Sequence, residues 1–348
     1  MNSLDSAFLQ RLTLNPKDAA AWAALSVYQG CQELHFQQTA AVLETLVRVA
    51  KVESVESSNR IEGIVSSRAV IEGIVLRDVK PRNRDGEEIA GYRDALALIH
   101  ESGQNMPFQS NVILQLHSQL YRYETGREGG RWKLSDNEIV AIQADGSRQT
   151  RFRPVSAFET PGAMAKLMDR YQNAVEVKVS PLYLVPLTIL DFLCIHPFDD
   201  GNGRVSRLLT LMLLYHSGHE VGRYISLERV VEQTKERYYD ALQQSSQNWH
   251  TGEHDPMPWL RYFWSVLGAA YKEFEERVGT VRKTHGAKTE VIEKAVGRHY
   301  DPFAISDIVS DCPGISRETI RVVLANMKKA GSLKLEGSGR GAKYRRIY

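Results

Sequence analysis

Apolar and polar positions fall along this chain in blocks that read mostly as helices. From Leu182 to Ile195 almost every residue is apolar, interrupted only by Pro186, Thr188 and Asp191, which predicts a buried helix. A second apolar run, Arg207 to His216, is stopped by Ser217-Gly218. The polar stretch between them is therefore a short turn pinned between two core helices. Glu236 to Leu242 is also helical, and its adjacent tyrosines, Tyr238 and Tyr239, point in different directions, so at most one belongs in the core. Strand signal is scarce before the C-terminus. Glu138–Gln143 and Arg148–Phe152 flank Ala144-Asp145-Gly146-Ser147, a pattern that predicts a β-hairpin with an Asp-Gly turn. After a polar linker, Gly279 to Gly286, come three short helical patterns: Thr289–Gly297, Ala304–Ser310 and Arg317–Ala330, the last with Ser316 at its N-cap. Leu333–Glu336, the glycine-rich Gly337–Gly341 and Lys343–Ile347 then read as a two-stranded ribbon. The fold class is mainly α, and 348 residues allow two or three domains.

The turn His196-Pro197-Phe198-Asp199-Asp200-Gly201-Asn202-Gly203-Arg204-Val205-Ser206-Arg207 concentrates the chemistry. Gly201 and Gly203 lack a Cβ, so backbone N–H groups can converge on a ligand, and the helix that follows begins with unpaired donors and a positive dipole end. Arg204 and Arg207, three apart, share a face of that first turn, where positive charge is unfavourable without an answering anion. Together these features suit a polyphosphate. Asp200 is a hard oxygen ligand fit to hold Mg2+ on phosphate oxygens, and His196 is the natural general base. An ordinary helix-helix loop would also use Asp, Asn and Gly. It would not explain why a base, acids, glycines and two arginines coincide in one turn.

These residues match every specified position of His-x-Phe-x-Asp/Glu-Gly-Asn-Gly-Arg-x-x-Arg, and the chain here resembles the Fic family. The resemblance implies a Fic-fold helical core that transfers AMP from ATP to Tyr, Thr or Ser hydroxyls of target proteins, itself included. It implies that His196 deprotonates the target hydroxyl and that Asp200 holds Mg2+. Gly201, Asn202 and Gly203 would cradle the α- and β-phosphates, with Val205 and Ser206 completing the phosphate-binding turn. Arg204 would neutralise the β-phosphate and Arg207 would reach the γ-phosphate. Ser58-Asn59-Arg60-Ile61-Glu62-Gly63 resembles the Ser/Thr-x-x-x-Glu-Gly/Asn inhibitory helix of many Fic proteins. In that reading Glu62 pairs with Arg207, and Ser58 and Gly63 complete the motif. Read without the family, Asn59 and Glu62 also suit a helix start and Gly63 a helix stop. Ile-Glu-Gly-Ile-Val recurs at 71–75, but Arg68 rather than Ser or Thr precedes Glu72 by four. The hairpin resembles the Fic flap that holds a target by backbone pairing, and similar tyrosines contact adenine, with Tyr239 ahead of Tyr238.

The expected organisation is an N-terminal helical region over 1–110 with the inhibitory helix, a catalytic core over 111–280 with its flap at 131–154, and a C-terminal domain over 287–348. Net charge is only +2, yet residues 315–348 hold nine Lys or Arg against two Glu, a local +7 that leaves the rest at −5. The order of three short helices and a two-stranded ribbon over 287–348 resembles a winged helix-turn-helix domain whose recognition helix is Arg317–Ala330. Ser316, Arg317, Thr319, Arg321, Arg340 and Lys343 are then placed to meet DNA phosphates or bases. Packing on the Fic body or on a protein partner is the alternative role for the same domain. Cys31, Cys194 and Cys312 are scattered and odd in number, which favours neither a disulfide framework nor a zinc site. No apolar N-terminal run suits a signal peptide and no uninterrupted apolar span suits a membrane helix, so a cytoplasmic setting without membrane contact is expected. The family resemblance makes a homodimer compatible with the chain. Two rival readings remain open at this point: a DNA-binding regulator whose Fic core senses ATP, and a Fic enzyme that also removes AMP.

Overall fold

The computed structural model describes residues 3–36, 40–142, 148–281, 287–299, 302–312, 315–337 and 342–347. The chain divides into two compact units, Met1–Phe274 and Glu275–Tyr348. In the first unit the helices are α1 (Ser6–Leu9), α2 (Pro16–Phe36), α3 (Ala40–Ile61), α4 (Arg68–Arg77), α5 (Arg84–Ser102) and α6 (Ser110–Leu120). The strands β1 (Ile139–Ile142) and β2 (Arg148–Phe152) follow, then α7 (Thr160–Glu176), α8 (Pro181–Ile195), α9 (Asn202–His216), α10 (Leu227–Gln233) and α11 (Lys235–Ser246). Helix α12 (Met257–Val281) follows. No helix among the described residues is long and apolar enough to cross a membrane.

Helix α8 lies in the core of the larger unit, buried from Leu182 to Ile195 save for Tyr183. Each polar interruption along it has found a partner. Pro186 has no N–H for the Leu182 carbonyl one turn back, and the indole of Trp264 donates to that carbonyl instead, at 2.8 Å. The indole of Trp259 donates to the Pro186 carbonyl at 2.7 Å. Thr188 donates to Leu184 O at 2.6 Å, and Asp191 accepts from the Trp249 indole at 2.7 Å and from the Ser3 hydroxyl. Helix α12 thus uses its tryptophans to close the backbone of α8. Helix α5 packs on both α6 and α9. Its approach to α6 is so tight that a Cβ on Gly91 would stand 2.1 Å from Leu120 O.

The expected hairpin forms, with Val140 opposite Thr150 and an irregularity between Ile139 and Val140. Its Asp-Gly turn, Ala144–Ser147, lies outside the described residues. Phe152 anchors it by stacking on His250 at 5.4 Å. His250 also bonds Arg153 O at 2.8 Å.

The smaller unit holds α13 (Ala287–Arg298), α14 (Ile305–Asp311), α15 (Arg317–Lys329) and an antiparallel pair, β3 (Leu333–Glu336) and β4 (Lys343–Arg346). It has its own core, in which Ile292, Phe303, Ile308, Ile320, Leu324 and Leu333 are buried. Ser316 caps α15 by accepting from Thr319 N at 3.2 Å. Arg317, Arg321 and Lys343 are exposed, whereas Arg340 lies outside the described residues.

Candidate active site

The turn after α8 owes its shape to backbone the sequence makes costly elsewhere. His196 ends α8 in the left-handed region (φ 52°, ψ 61°), its N–H bonded to Phe192 O at 2.9 Å, and Pro197 prevents further helix. A non-glycine residue held there stores strain that surrounding contacts must sustain. Gly201 (φ 82°) opens α9, and a Cβ on it would stand 2.8 Å from the Tyr121 hydroxyl. Asn202 laces the turn shut, accepting from Phe198 N at 2.9 Å and donating to Phe198 O at 2.7 Å. Phe198 is fully buried between His117, stacked at 3.7 Å, and Trp132, stacked at 5.3 Å.

His196 is half-buried, and its Nδ1 lies 3.2 Å from Leu193 O. Only a protonated Nδ1 can bond a carbonyl, which leaves Nε2 as the basic nitrogen. Burial pushes the imidazole down to about 4, with Lys133 adding to the effect. The ring is therefore neutral near pH 7 and able to accept a proton.

His196, Asp199, Asp200, Gly201, Asn202, Gly203 and Arg207 line one cavity of about 220 Å3. Glu62 joins them from the end of α3, and Tyr238 and Tyr239 from α11. Leu190, Leu193, Cys194 and Leu242 supply an apolar wall, while Ile139, Arg151 and Phe152 reach it from the hairpin. Both tyrosines contribute to the wall although only Tyr238 is buried.

Glu62 reaches the cavity because of how α3 stops. Ile64 N bonds Asn59 O at 3.0 Å, Gly63 N bonds Arg60 O at 3.0 Å, and Gly63 has φ 86°. This left-handed glycine cap holds Glu62 in the turn directly after Ile61, the last helical residue. Asn59 therefore sits inside the last turn of a 22-residue helix, its side chain bonded to Val55 O, and the helix-start reading of Asn59 and Glu62 is wrong. Helix α3 rests on α10 through Ser54–Glu228 at 2.7 Å, Glu53–Arg229 at 3.1 Å and Arg60–Glu232 at 3.0 Å. Lys235 of α11 donates to the terminal carbonyl of Ile61 at 2.7 Å.

Arg207 Nη2 bonds Glu62 Oε1 at 2.7 Å and Ser58 O at 3.0 Å, and Nε bonds Ser58 Oγ at 2.8 Å. Burial alone would lower the guanidinium, but Glu62 and the neighbouring phenols more than offset it and raise it. The same carboxylate oxygen lies where a Cβ on Gly203 would be, 2.2 Å away. The first ladder bond of α9 runs from Val205 N to Gly201 O, so the amides of Asn202, Gly203 and Arg204 precede the ladder. Glu62 thus brings an anion to the positive end of α9.

The two arginines expected on one face part company. Arg204 is 1% exposed and lies outside the cavity lining. Its Nη1 pairs with buried Glu88 of α5 at 2.6 Å and its Nη2 bonds the Tyr121 hydroxyl at 3.2 Å. A buried cation at a helix start requires such an acid, so Arg204 acts on the cavity through Asp200, 3.6 Å away. Val205 and Ser206 also fall outside the lining: Val205 N is committed to Gly201 O, and Ser206 Oγ donates to Gly203 O at 2.8 Å. Ser58 and Gly63 act behind Glu62 rather than in the wall.

Arg127, Glu88, Lys133 and Asn137 belong to the site without any signature in the sequence. Arg127 pairs with the carboxylate of Asp200 and lies 4.3 Å over the Tyr121 ring. Burial alone would raise Asp200, but Arg127, Arg204 and the Gly201 N–H hold its carboxyl below the usual range. His117 accepts from Gly130 N at 2.9 Å and so donates through Nε2 to Asp200 O at 3.1 Å. None of these residues carries a local pattern; each is identified by its partner. His216 and His219 are bonded to Gly103 O and the Tyr271 hydroxyl.

Residues 107–214 match the Fic/DOC family. The chain is 23% identical over 285 residues to the protein adenylyltransferase Fic of Aedes aegypti, an alignment covering 74% of this chain and 52% of that protein. The Drosophila willistoni protein of the same name is 26% identical over 284 residues with the same coverage. The chain spans about half the length of these curated relatives. Among solved structures, a Fic family protein from Desulfovibrio desulfuricans aligns with a TM-score of 0.63 at 19% identity, covering 97% of both chains. A Fic domain containing signalling protein from Bacteroides thetaiotaomicron aligns with a TM-score of 0.63 at 20% identity, covering 74% of this chain and 97% of that one. The turn that carries His196, all of α8, all but the last two residues of α9 and the arginine that meets Glu62 lie in the segment, residues 107–214, that matches the Fic/DOC family.

Proposed function

We propose that this protein is an autoinhibited adenylyltransferase that moves AMP from ATP to a Tyr, Thr or Ser hydroxyl of a target protein. The observation that carries the reading is the single cavity in which neutral His196, the start of α9 and the Arg207–Glu62 pair meet. His196 Nε2 takes the proton of the target hydroxyl as its oxygen attacks the α-phosphorus. The bond from that phosphorus to the bridging oxygen breaks, and pyrophosphate leaves. The amides at the start of α9 and Arg207 receive phosphate charge, so most of the acceleration comes from positioning and charge stabilisation. Tyr238 and Tyr239, with Leu242, supply the apolar and aromatic wall for adenine. The hairpin, a two-stranded sheet with outer edges, suits backbone pairing with an extended target.

The site fits Mg2+ through Asp200 alone, since this ion takes few protein carboxylates and shares its other positions with phosphate and water. Among the described residues no three His, Cys, Asp or Glu converge as a metal-binding group, so Asp200 would act as a lone protein ligand. Bound there, Mg2+ would neutralise phosphate charge. Glu62 inhibits because it holds Arg207 and fills the anion site over Gly203. The smaller unit, with its three helices, paired strands and exposed Arg317, Arg321 and Lys343, supports a winged helix able to meet DNA phosphates.

Incubating the full chain with ATP labelled at the α-phosphate and Mg2+ tests the reading. Glu62→Gly should incorporate label, the parent chain much less, and Glu62→Gly with His196→Ala none. No incorporation by Glu62→Gly into itself or into lysate proteins would sink it.

A further inference from the structure

The segment that leads into the hairpin grips the catalytic turn by its backbone. Four consecutive carbonyls, from Ile195 to Phe198, are all engaged by two residues. Lys133 Nζ donates to Ile195 O at 3.2 Å, and Lys133 N donates to Pro197 O at 2.9 Å. Asn137 Nδ2 lies 3.5 Å from His196 O and donates to Phe198 O at 3.1 Å. The two side chains are joined to each other, Lys133 Nζ donating to Asn137 Oδ1 at 2.7 Å. Lys133 is only 2% exposed, an unusual place for an ammonium. Burial lowers it to about 8, with Asp136 and Asp199 opposing that shift. Two residues after Asn137, Ile139 begins β1 and already lines the cavity.

We propose that Lys133 and Asn137 are positioning residues that lock the His196 turn to the root of the hairpin, so that the segment receiving the target and the base acting on it move as one body. The inference rests on the adenylyltransferase reading for its catalytic consequence, and on hydrogen bonding alone for its mechanical part. His196 needs such a lock because a left-handed histidine is strained and relaxes once its neighbours let go. Asparagine is suited to the position: one amide offers an acceptor to the ammonium and donors to two carbonyls. Aspartate has the same shape and keeps the ammonium, yet turns oxygen lone pairs toward those carbonyls.

The test uses the full chain in the Glu62→Gly background, with self-modification from labelled ATP as readout. Asn137→Asp should lower the rate at saturating ATP by about 100-fold, the scale of an ångström-sized misplacement of a reacting group. Binding of α,β-methylene-ATP should stay within about twofold, because the phosphate amides and Arg207 lie outside the lock. Hydrogen exchange of the peptide covering residues 192–202 should accelerate. Lys133→Met, which keeps the backbone bond to Pro197, should give a smaller loss and serves if Asn137→Asp does not fold. An active parent with an equally fast Asn137→Asp variant overturns the proposal, as does unchanged exchange in the turn. A parent inactive in Glu62→Gly counts against the adenylyltransferase reading instead, and the exchange measurement then judges the lock by itself.

Discussion

Replacing Glu62 with glycine should tighten triphosphate binding and loosen the nucleotide-free fold at the same time. Both effects come from Arg207, whose side chain is 7% exposed and whose one anionic contact among its hydrogen bonds is Glu62 at 2.7 Å. A terminal phosphate that uses this guanidinium must first break a charge-assisted bond of about 1.5–3 kcal/mol. Because the Glu62 side chain is 31% exposed, solvent screening favours the lower part of that range. At 1.4 kcal/mol per factor of ten, the variant should bind α,β-methylene-ATP about 10- to 30-fold more tightly. Without nucleotide the guanidinium keeps only neutral Ser58 oxygens, and the loss of about 1–2 kcal/mol should lower the melting temperature by a few degrees. Titration calorimetry with α,β-methylene-ATP and with AMP separates the causes, since AMP has no distal phosphate to reward and should gain little. Equal affinity in parent and variant, or an equal gain for AMP, would refute the competition argument.

Three further outcomes are expected. Glu88→Ala should leave the buried charge of Arg204 with only the half-exposed Asp200, 3.6 Å away, and cost about 3–5 kcal/mol, read as a large fall in the urea midpoint, whereas a surface-sized change below 1 kcal/mol would show that the pair is dispensable. Burial holds His100 near 3 and His117, His196, His219 and His254 near 4, below the ordinary 6.5. The unfolded chain takes up these protons as the pH drops below about 6.5 while the folded chain does not until about 4, so stability should decline across that window. Adenylylation should lose its base only as the pH falls through about 4, and urea melts and rates at several pH values check both. Arg127 competes with any cation for the Asp200 carboxylate, so Arg127→Gln should lower the Mn2+ concentration for half-saturation, followed by Mn2+ resonance in the presence of α,β-methylene-ATP; an unchanged or higher requirement contradicts it.

The local chemistry of the turn could be read from the chain because its information is local. Gly201 and His196 adopt left-handed backbone, Asn202 closes on Phe198, and the flanking apolar runs become α8 and α9. Gly63 ends its helix as a glycine should, but the start reading of Asn59 and Glu62 failed. A capping pattern is short-ranged, and the burial of Ala50, Val52, Val55 and Ile61 against other helices overrode it. The division of labour between Arg204 and Arg207 was equally hidden. Three-residue spacing places both on one turn, yet Glu88 and Glu62 come from separate helices and draw the two side chains apart.

What could be read from local pattern was the turn's chemical inventory and the runs around it: the helical periods of α8 and α9, the paired strands of the hairpin, glycines at positive φ, a base, an acid and two arginines in one turn. These follow from neighbours within a few residues, where sterics and hydrogen-bond reach leave little choice. The tertiary structure alone decided which charge meets which. Arg207 and Glu62 are 145 residues apart, Arg204 and Glu88 116, and Lys133 reaches Ile195 over 62. A buried ion pair or a captured carbonyl exists only once packing has removed water from both partners, and no property of either residue by itself names the other.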